Sequence, residues 1–324
     1  VACYDGGLVA WFGDIDRQDV AAGGGKGASL SDMARAGLPV PPGFVICTET
    51  FRQFMQSSGL DNKVVHALEG LDVENSALLE RTSQELVEQI ETVACPEHLQ
   101  REVLSAYHRL CDEYGGAAVV AVRSSAAAED SQAASFAGQQ ETYLNIYGDE
   151  NIIKKVQACW GSFFQPRAIF YRQQRGSLKD TSIAVVIQRM VNPDKSGVMF
   201  TVDPVQRRHD RIMIEAAWGL GEAVVSGLVT PDNYIVSKSD GRVLSKFISR
   251  KSVMIVREDT GIGCRHVELP QEKAQAQVLS DGEIEHLLSL GKMIESHFGS
   301  PQDVEWAIEG EALYVLQSRP VTTM

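Results

Sequence analysis

From Asp303 to Arg319 the chain reads Asp-Val-Glu-Trp-Ala-Ile-Glu-Gly-Glu-Ala-Leu-Tyr-Val-Leu-Gln-Ser-Arg. Two alternating runs around a turn at Glu309-Gly310-Glu311 leave little choice but a β-hairpin. Side chains two apart on a strand share a face. Asp303 and Glu305 therefore lie on one face of the first strand, with Val304, Trp306 and Ile308 on the other. In the second strand Gln317 and Arg319 share a face, with Tyr314 and Leu316 turned the other way. A three-residue loop pairs Ile308 with Ala312 and sets Asp303 opposite Gln317. A two-residue loop pairs Glu305 with Tyr314 and scatters the group, because register decides which side chains meet. Gathered, two carboxylates, an amide and a guanidinium suit a divalent cation and a phosphate. Taken alone, the stretch is explained more simply by a surface hairpin with a polar outer face.

A chain of 324 residues exceeds what one compact domain usually needs, so two or more lobes are expected. Hydrophobic content of 44% and charged content of 23% are ordinary for a globular protein with a core. A net charge of −13 argues against a protein built to wrap nucleic acid or lie on anionic membranes. The six cysteines are widely spaced with no Cys-x-x-Cys pair, and read as reduced thiols rather than a zinc site or disulfide frame. No apolar run approaches a membrane span and no signal peptide opens the chain, so a cytoplasmic protein is expected.

In chain order, a short apolar strand candidate at Leu8-Val-Ala-Trp-Phe12 precedes Gly23-Gly-Gly-Lys-Gly-Ala-Ser-Leu-Ser-Asp-Met-Ala-Arg-Ala-Gly37. Leu30, Met33 and Ala34 fall at helical spacing, so a glycine-rich loop holding Lys26 is expected to lead into a short helix. Backbone N–H groups at such a junction suit anions, although the Walker A spacing is missing. Val40 to Ile46 reads as a strand, and residues 49 to 114 as mostly helical. The clearest helical stripe there is Leu99, Val103, Leu104, Tyr107, Leu110, Cys111 and Tyr114. Ala117 to Arg123 is a buried-strand run that delivers an arginine, followed by a small, polar loop from Ser124 to Gly138 that would suit a lid over phosphates. Helical material at about 149 to 176 gives way to strand-like runs at Ser182–Gln188, Ser196–Thr201 and Arg211–Glu215. Gly219-Leu-Gly-Glu222 is a turn into a helix candidate. Short strands over 233 to 257, a loop-rich excursion from 259 to 280 and a helix near 281 to 298 complete the chain. The order implies an α+β protein with an α/β N-terminal lobe, 1–195, and a β-rich C-terminal lobe, 196–324.

Taken together, Gly24-Gly-Lys-Gly-Ala-Ser-Leu30, Pro41-Pro-Gly-Phe44, Val122-Arg-Ser-Ser125, Phe136-Ala-Gly-Gln-Gln-Glu-Thr142, Gly197-Val-Met-Phe-Thr201, Asp203-Pro204, Trp218-Gly-Leu-Gly-Glu222, Asp303-Val-Glu-Trp306 and Leu316-Gln-Ser-Arg-Pro320 resemble the phosphoenolpyruvate synthase and pyruvate phosphate dikinase family. They occur in that family's order along nearly the whole chain. The pattern is also similar to the nucleotide-binding parts of rifampicin phosphotransferase and phenylphosphate synthase-like subunits. The resemblance implies an ATP-grasp-like fold with ATP held in the cleft between two lobes.

It also implies roles. Lys26, Arg123 and Arg319 would be the catalytic cations, neutralising phosphate oxygens and the charge that develops in transfer. Gly138 and Thr142 would lie near the phosphates, and Gln188 nearer the adenine or ribose. Glu305 and Gln317 would hold Mg²⁺, and Asp303 would orient that group. Glu215 and Glu222 match family positions without an assigned role. In the family ATP phosphorylates a histidine on a separate domain. None of the seven histidines here lies in the Gly- and Thr/Ser-rich turn that such a histidine occupies. The implied function is the Mg-ATP-binding component of a dikinase that passes a phosphoryl or pyrophosphoryl group to a histidine-bearing domain or subunit and forms AMP. The acceptor is pyruvate, or another hydroxylated small molecule, bound elsewhere. A nucleotide-sensing module without catalysis is the reading from another class. The chain suits either a fragment of a longer enzyme or a separate subunit.

Overall fold

The computed structural model describes residues 6–126, 141–174, 176 and 182–322. The chain divides into two compact units, Val1–Asp32 with Pro42–Arg189, and Met33–Pro41 with Met190–Met324. Helix and sheet are mixed in it, as expected of the α+β class.

The first unit runs β1 (Val9–Trp11), α1 (Val20–Arg35), β2 (Gly43–Ile46), α2 (Thr48–Ser57), α3 (Leu60–Leu68), α4 (Ser76–Thr92), α5 (Glu97–Glu113), β3 (Val120–Ala126), β4 (Thr142–Ile146), α6 (Asp149–Ser162), α7 (Pro166–Gln174) and β5 (Ile183–Arg189). Its five-stranded sheet has the order β1-β2-β5-β3-β4, antiparallel throughout. Central strand β5 is an apolar run because both of its faces are covered. On one side Phe44, Ile46, Val120, Val122, Val185 and Ile187 join the main core with Phe51, Phe54, Tyr107 and Trp160 from the helices. Phe54 and Trp160 pack with ring centroids 4.7 Å apart. On the other side lies α1, close enough that a Cβ on Gly27 would stand 3.0 Å from a methyl of Val45.

Several expectations need correction here. The glycine-rich stretch is not a loop before a helix. It lies inside α1, which kinks at Gly24 with φ 68° and ψ 172°. Such a φ is steep for any residue with a Cβ, so the glycines serve the bend. Ser124 and Ser125 are not loop residues either, since β3 continues through Ala126 and pairs with β5 to its end. Tyr114 does not belong to the buried stripe of α5. It is 46% exposed at the helix end, beneath the Arg189 guanidinium, 4.9 Å from the ring centroid.

The second unit runs β6 (Lys195–Phe200), β7 (Arg211–Trp218), α8 (Glu222–Val225), β8 (Asp232–Ser237), β9 (Val243–Phe247), β10 (Val253–Arg257), β11 (Cys264–Glu268), α9 (Gln271–Gln275), α10 (Asp281–Phe298), β12 (Gln302–Glu309) and β13 (Ala312–Pro320). A six-stranded antiparallel sheet has the order β13-β12-β6-β7-β8-β9, and β10 pairs with β11 in a separate hairpin. The segment from 259 to 280, expected to be loop-rich, thus contains a strand and a short helix. The strand is hard to read because all its side chains are exposed or half-exposed, so no alternation marks it.

Helix α10 covers one face of the larger sheet. It starts with a full capping box, Ser280 and Glu283 each bonding the other's backbone. Ile284, Leu287, Leu290 and Ile294 bury completely or nearly so, as do Met199, Ile212, Ile214, Val304 and Trp306 from the sheet. Each such side chain contributes about 1.5–3 kcal/mol over an exposed one. Behind α10 lies a buried ion pair, Lys251 with Asp232, both fully enclosed. The Asp232 carboxylate also accepts from Ser249 N at 3.0 Å, Val278 N at 2.8 Å and the Tyr234 hydroxyl at 3.1 Å. With every lone pair engaged, the charge is tolerable inside, and the network ties β8 to the segment that leads into α10.

Candidate nucleotide and cation site

Alternation along β3 turns Arg123 and Ser125 to the α1 side of the first sheet. Arg123 stands directly opposite Thr142 on β4 and Val186 on β5. Gln188, two residues beyond Val186, shares that face. Arg123 Nη1 donates to Gln188 Oε1 at 3.3 Å. Lys26, in the first turn after the α1 kink, donates from Nζ to the Ser124 carbonyl at 2.8 Å. Lys26, Arg123 and Gln188 are only 6%, 7% and 3% exposed. Strand β3 therefore collects four of the expected residues, Lys26, Arg123, Thr142 and Gln188, on one side of one sheet. Gly138 lies outside the described residues.

In the second unit the hairpin β12–β13 follows neither register considered from sequence. Its turn holds two residues, Gly310 and Glu311, with Glu309 opposite Ala312 and Ile308 opposite Leu313. Left regular, that register would put Leu316 opposite Glu305 and drive Gln317 to the buried side. A β-bulge between Glu305 and Trp306 absorbs Leu316 as a spare residue. Beyond it Glu305 faces Gln317 and Asp303 faces Arg319. The expected group is thus assembled, but Asp303 meets Arg319 and not Gln317. The apolar side of β13 differs as well. Val315 and Ser318 are its buried residues, and Tyr314, opposite Ala307, lies on the Gln317 side.

Register extends this face across the sheet. One row reads Gln317, Glu305, Val198, Glu215, Asn233, Phe247, and the next reads Arg319, Asp303, Phe200, Met213, Ile235, Ser245. Glu215 and Asn233 thus join the face, which sequence reasoning had not linked to the hairpin. The available signal was one carboxylate in the middle of the otherwise apolar run Ile212 to Trp218.

Asp303 holds Arg319 by two contacts to one carboxylate oxygen, from Nε at 2.9 Å and from an Nη at 2.8 Å. Asp303 is 12% exposed at its side chain and Arg319 55%, so a largely buried carboxylate holds an outward guanidinium. Burial pushes the Asp303 carboxyl above its ordinary pKa; Arg319 pulls it back and the Glu305 charge adds to the rise. Burial likewise raises Glu215, against a hydrogen bond from Asn233 and with a contribution from Asp303. Crowded, desolvated carboxylates of this kind favour a nearby cation.

Among the described residues no three His, Cys, Asp or Glu side chains close around a ready-made metal cage. Glu305 and Gln317 instead offer a carboxylate and an amide oxygen side by side. That fits Mg²⁺, which takes one or two protein oxygens and completes its shell with phosphates and water. Burial pushes the thiols of Cys95 and Cys264 up to about 11 and raises Cys159 as well, so these three are not poised as nucleophiles.

Residues 20–324 match the family model described as pyruvate phosphate dikinase, AMP/ATP-binding domain. The chain is thus a nucleotide-binding domain of dikinase type, and every site residue named above lies within the match. It belongs to the pyruvate phosphate dikinase AMP/ATP-binding family. It is 52% identical to a probable phosphoenolpyruvate synthase of Archaeoglobus fulgidus over 98% of this chain and 42% of that one. It is 49% identical to one of Methanocaldococcus jannaschii over 98% and 27%, and 39% identical to the phosphoenolpyruvate synthase of Pyrococcus furiosus over 98% and 44%. The chain therefore spans less than half the length of these relatives. A D-alanine–D-alanine ligase from Bacillus anthracis aligns over 75% of this chain and 55% of its own at 9% identity and a TM-score of 0.26, too slight a likeness to bear on the fold. Among the described residues no helix is long and apolar enough to cross a membrane.

Proposed function

We propose that this chain is the Mg-ATP-binding component of a phosphoenolpyruvate synthase-type dikinase with an ATP-grasp-like arrangement. One observation carries the reading: in a chain of this family, Glu305 opposes Gln317 and Asp303 opposes Arg319 on a single sheet face. That is an oxygen pair for a cation beside a fixed guanidinium for a phosphate.

In this reading Lys26 and Arg123 bind phosphate oxygens, Thr142 adds a hydroxyl, and Gln188 orients Arg123 and the base or ribose. Glu305 and Gln317 hold Mg²⁺, which when bound neutralises charge on the phosphates. Arg319, steadied by Asp303, clamps a phosphate. None of these residues serves as the nucleophile in this reading. A histidine nitrogen on another domain or subunit attacks the β-phosphorus, the bond between that phosphorus and the oxygen bridging to the α-phosphate breaks, and AMP leaves. Transfer of this kind is chiefly positioning and charge stabilisation, which matches a site made of cations and metal ligands.

The test mixes this chain with a histidine-bearing domain of a phosphoenolpyruvate synthase and Mg-ATP labelled in its β-phosphate. The expected result is AMP together with acid-labile label on the histidine. Parallel γ-labelling then separates pyrophosphoryl from phosphoryl transfer. Tight ATP binding with no AMP and no label, from any such domain, would instead favour a nucleotide sensor. Label passing onward only to an acceptor other than pyruvate would favour a phenylphosphate synthase-like or rifampicin phosphotransferase-like enzyme.

A further inference from the structure

The bend in α1 is capped from a different element. Gly24 occupies the place of a capping residue for helical residues 25–35, with non-helical φ 68° and ψ 172°, but it has no side chain to offer. A capping oxygen ordinarily accepts from the second or third N–H of the helix it starts. Here the third, on Gly27, donates to the Ser125 hydroxyl at 3.1 Å across a separation of 98 residues. The same hydroxyl donates to the Gly23 carbonyl at 2.9 Å, so it bridges both sides of the bend. Ser125 is fully buried, and a Cβ on Gly24 would stand 2.2 Å from its carbonyl oxygen. Lys26, inside this bend, returns to the same strand through its bond to the Ser124 carbonyl.

We propose that Ser125 is a positioning residue for the nucleotide site. It is the N-terminal cap, supplied by β3, of the helical piece that carries Lys26, and it sets the lysine ammonium relative to Arg123, two residues away on the same strand face. The proposal rests on the reading of Lys26 as a phosphate-binding group. A serine that served only packing would act on stability alone. One that acts through Lys26 changes nucleotide affinity, and changes it only while the lysine is present.

The test measures Mg-ATP dissociation constants by calorimetry for the whole chain and for Ser125→Ala, Lys26→Ala and the double variant, with thermal melts alongside. Ser125→Ala should bind about five- to tenfold more weakly, the affinity equivalent of one lost cap. The double variant should bind no more weakly than Lys26→Ala alone, because the two act as one unit. Ser125→Cys, which fills the same space with a poor hydrogen-bonding group, serves if the alanine variant does not fold, and should show the same loss. Wild-type affinity in the serine variants, or losses that simply add to that of Lys26→Ala, would overturn the proposal while leaving the site intact. Wild-type affinity in Lys26→Ala would remove the site reading itself.

Discussion

At the scale of single residues the site is made of groups that neighbours hold still. Arg319 is aimed by Asp303, and Arg123 is tied to Gln188. Lys26→Ala, Arg123→Ala and Glu305→Ala are each expected to weaken Mg-ATP binding about 10- to 100-fold, the range for a lost hydrogen bond to a charged group. Circular dichroism and melting should show the variants folded; native affinity in all three would remove the site. Asp303→Asn keeps the shape but loses the charge that orients Arg319, so it should weaken binding about five- to tenfold. Titration of Mg-ATP against the variant checks this. Much of the list was legible in the sequence, because Asp303, Glu305, Gln317 and Arg319 fall at strand spacing. Glu215 matched a family position, but its place beside them was not legible, since it reaches them only through Val198 of a third strand and sequence does not display lateral register.

At the scale of elements, local chemistry decided what could be read in advance. The capping box and apolar stripe of α10 mark that helix unmistakably. Glu283 in that box also meets Lys195 at 2.7 Å. Burial works to raise its pKa, but hydrogen bonds from Lys195 and Ser280 outweigh this and leave it lowered. A carboxylate with a lowered folded pKa adds stability that is complete above its unfolded value and is lost as pH falls through the folded one. Glu283→Gln should therefore cost about 1 kcal/mol near neutral pH. Melting curves of variant and wild type should converge at acid pH, below the ordinary carboxylate range, and a gap that stayed constant would refute the account. The bend in α1 was less legible. Glycines before a helix usually signal a loop, and what keeps these inside a helix is a hydroxyl from β3.

At the scale of the whole molecule, Lys26 and Arg123 lie in the first unit, and Glu305, Gln317 and Arg319 in the second. The family match reaches from residue 20 to residue 324, so all of these residues fall within it.

The spare residue in β13 gives the hairpin slack in one direction only. Removing Leu316 would leave an unbroken ladder with the same partners across from Glu305 and Asp303, so a one-residue shortening there is permissible. Lengthening the strand by one at the same point would invert everything after it, burying Gln317 and Arg319 and turning Ser318 outward. Length change in this stretch is thus constrained by its direction: the loss of one residue is absorbed, and the gain of one is not.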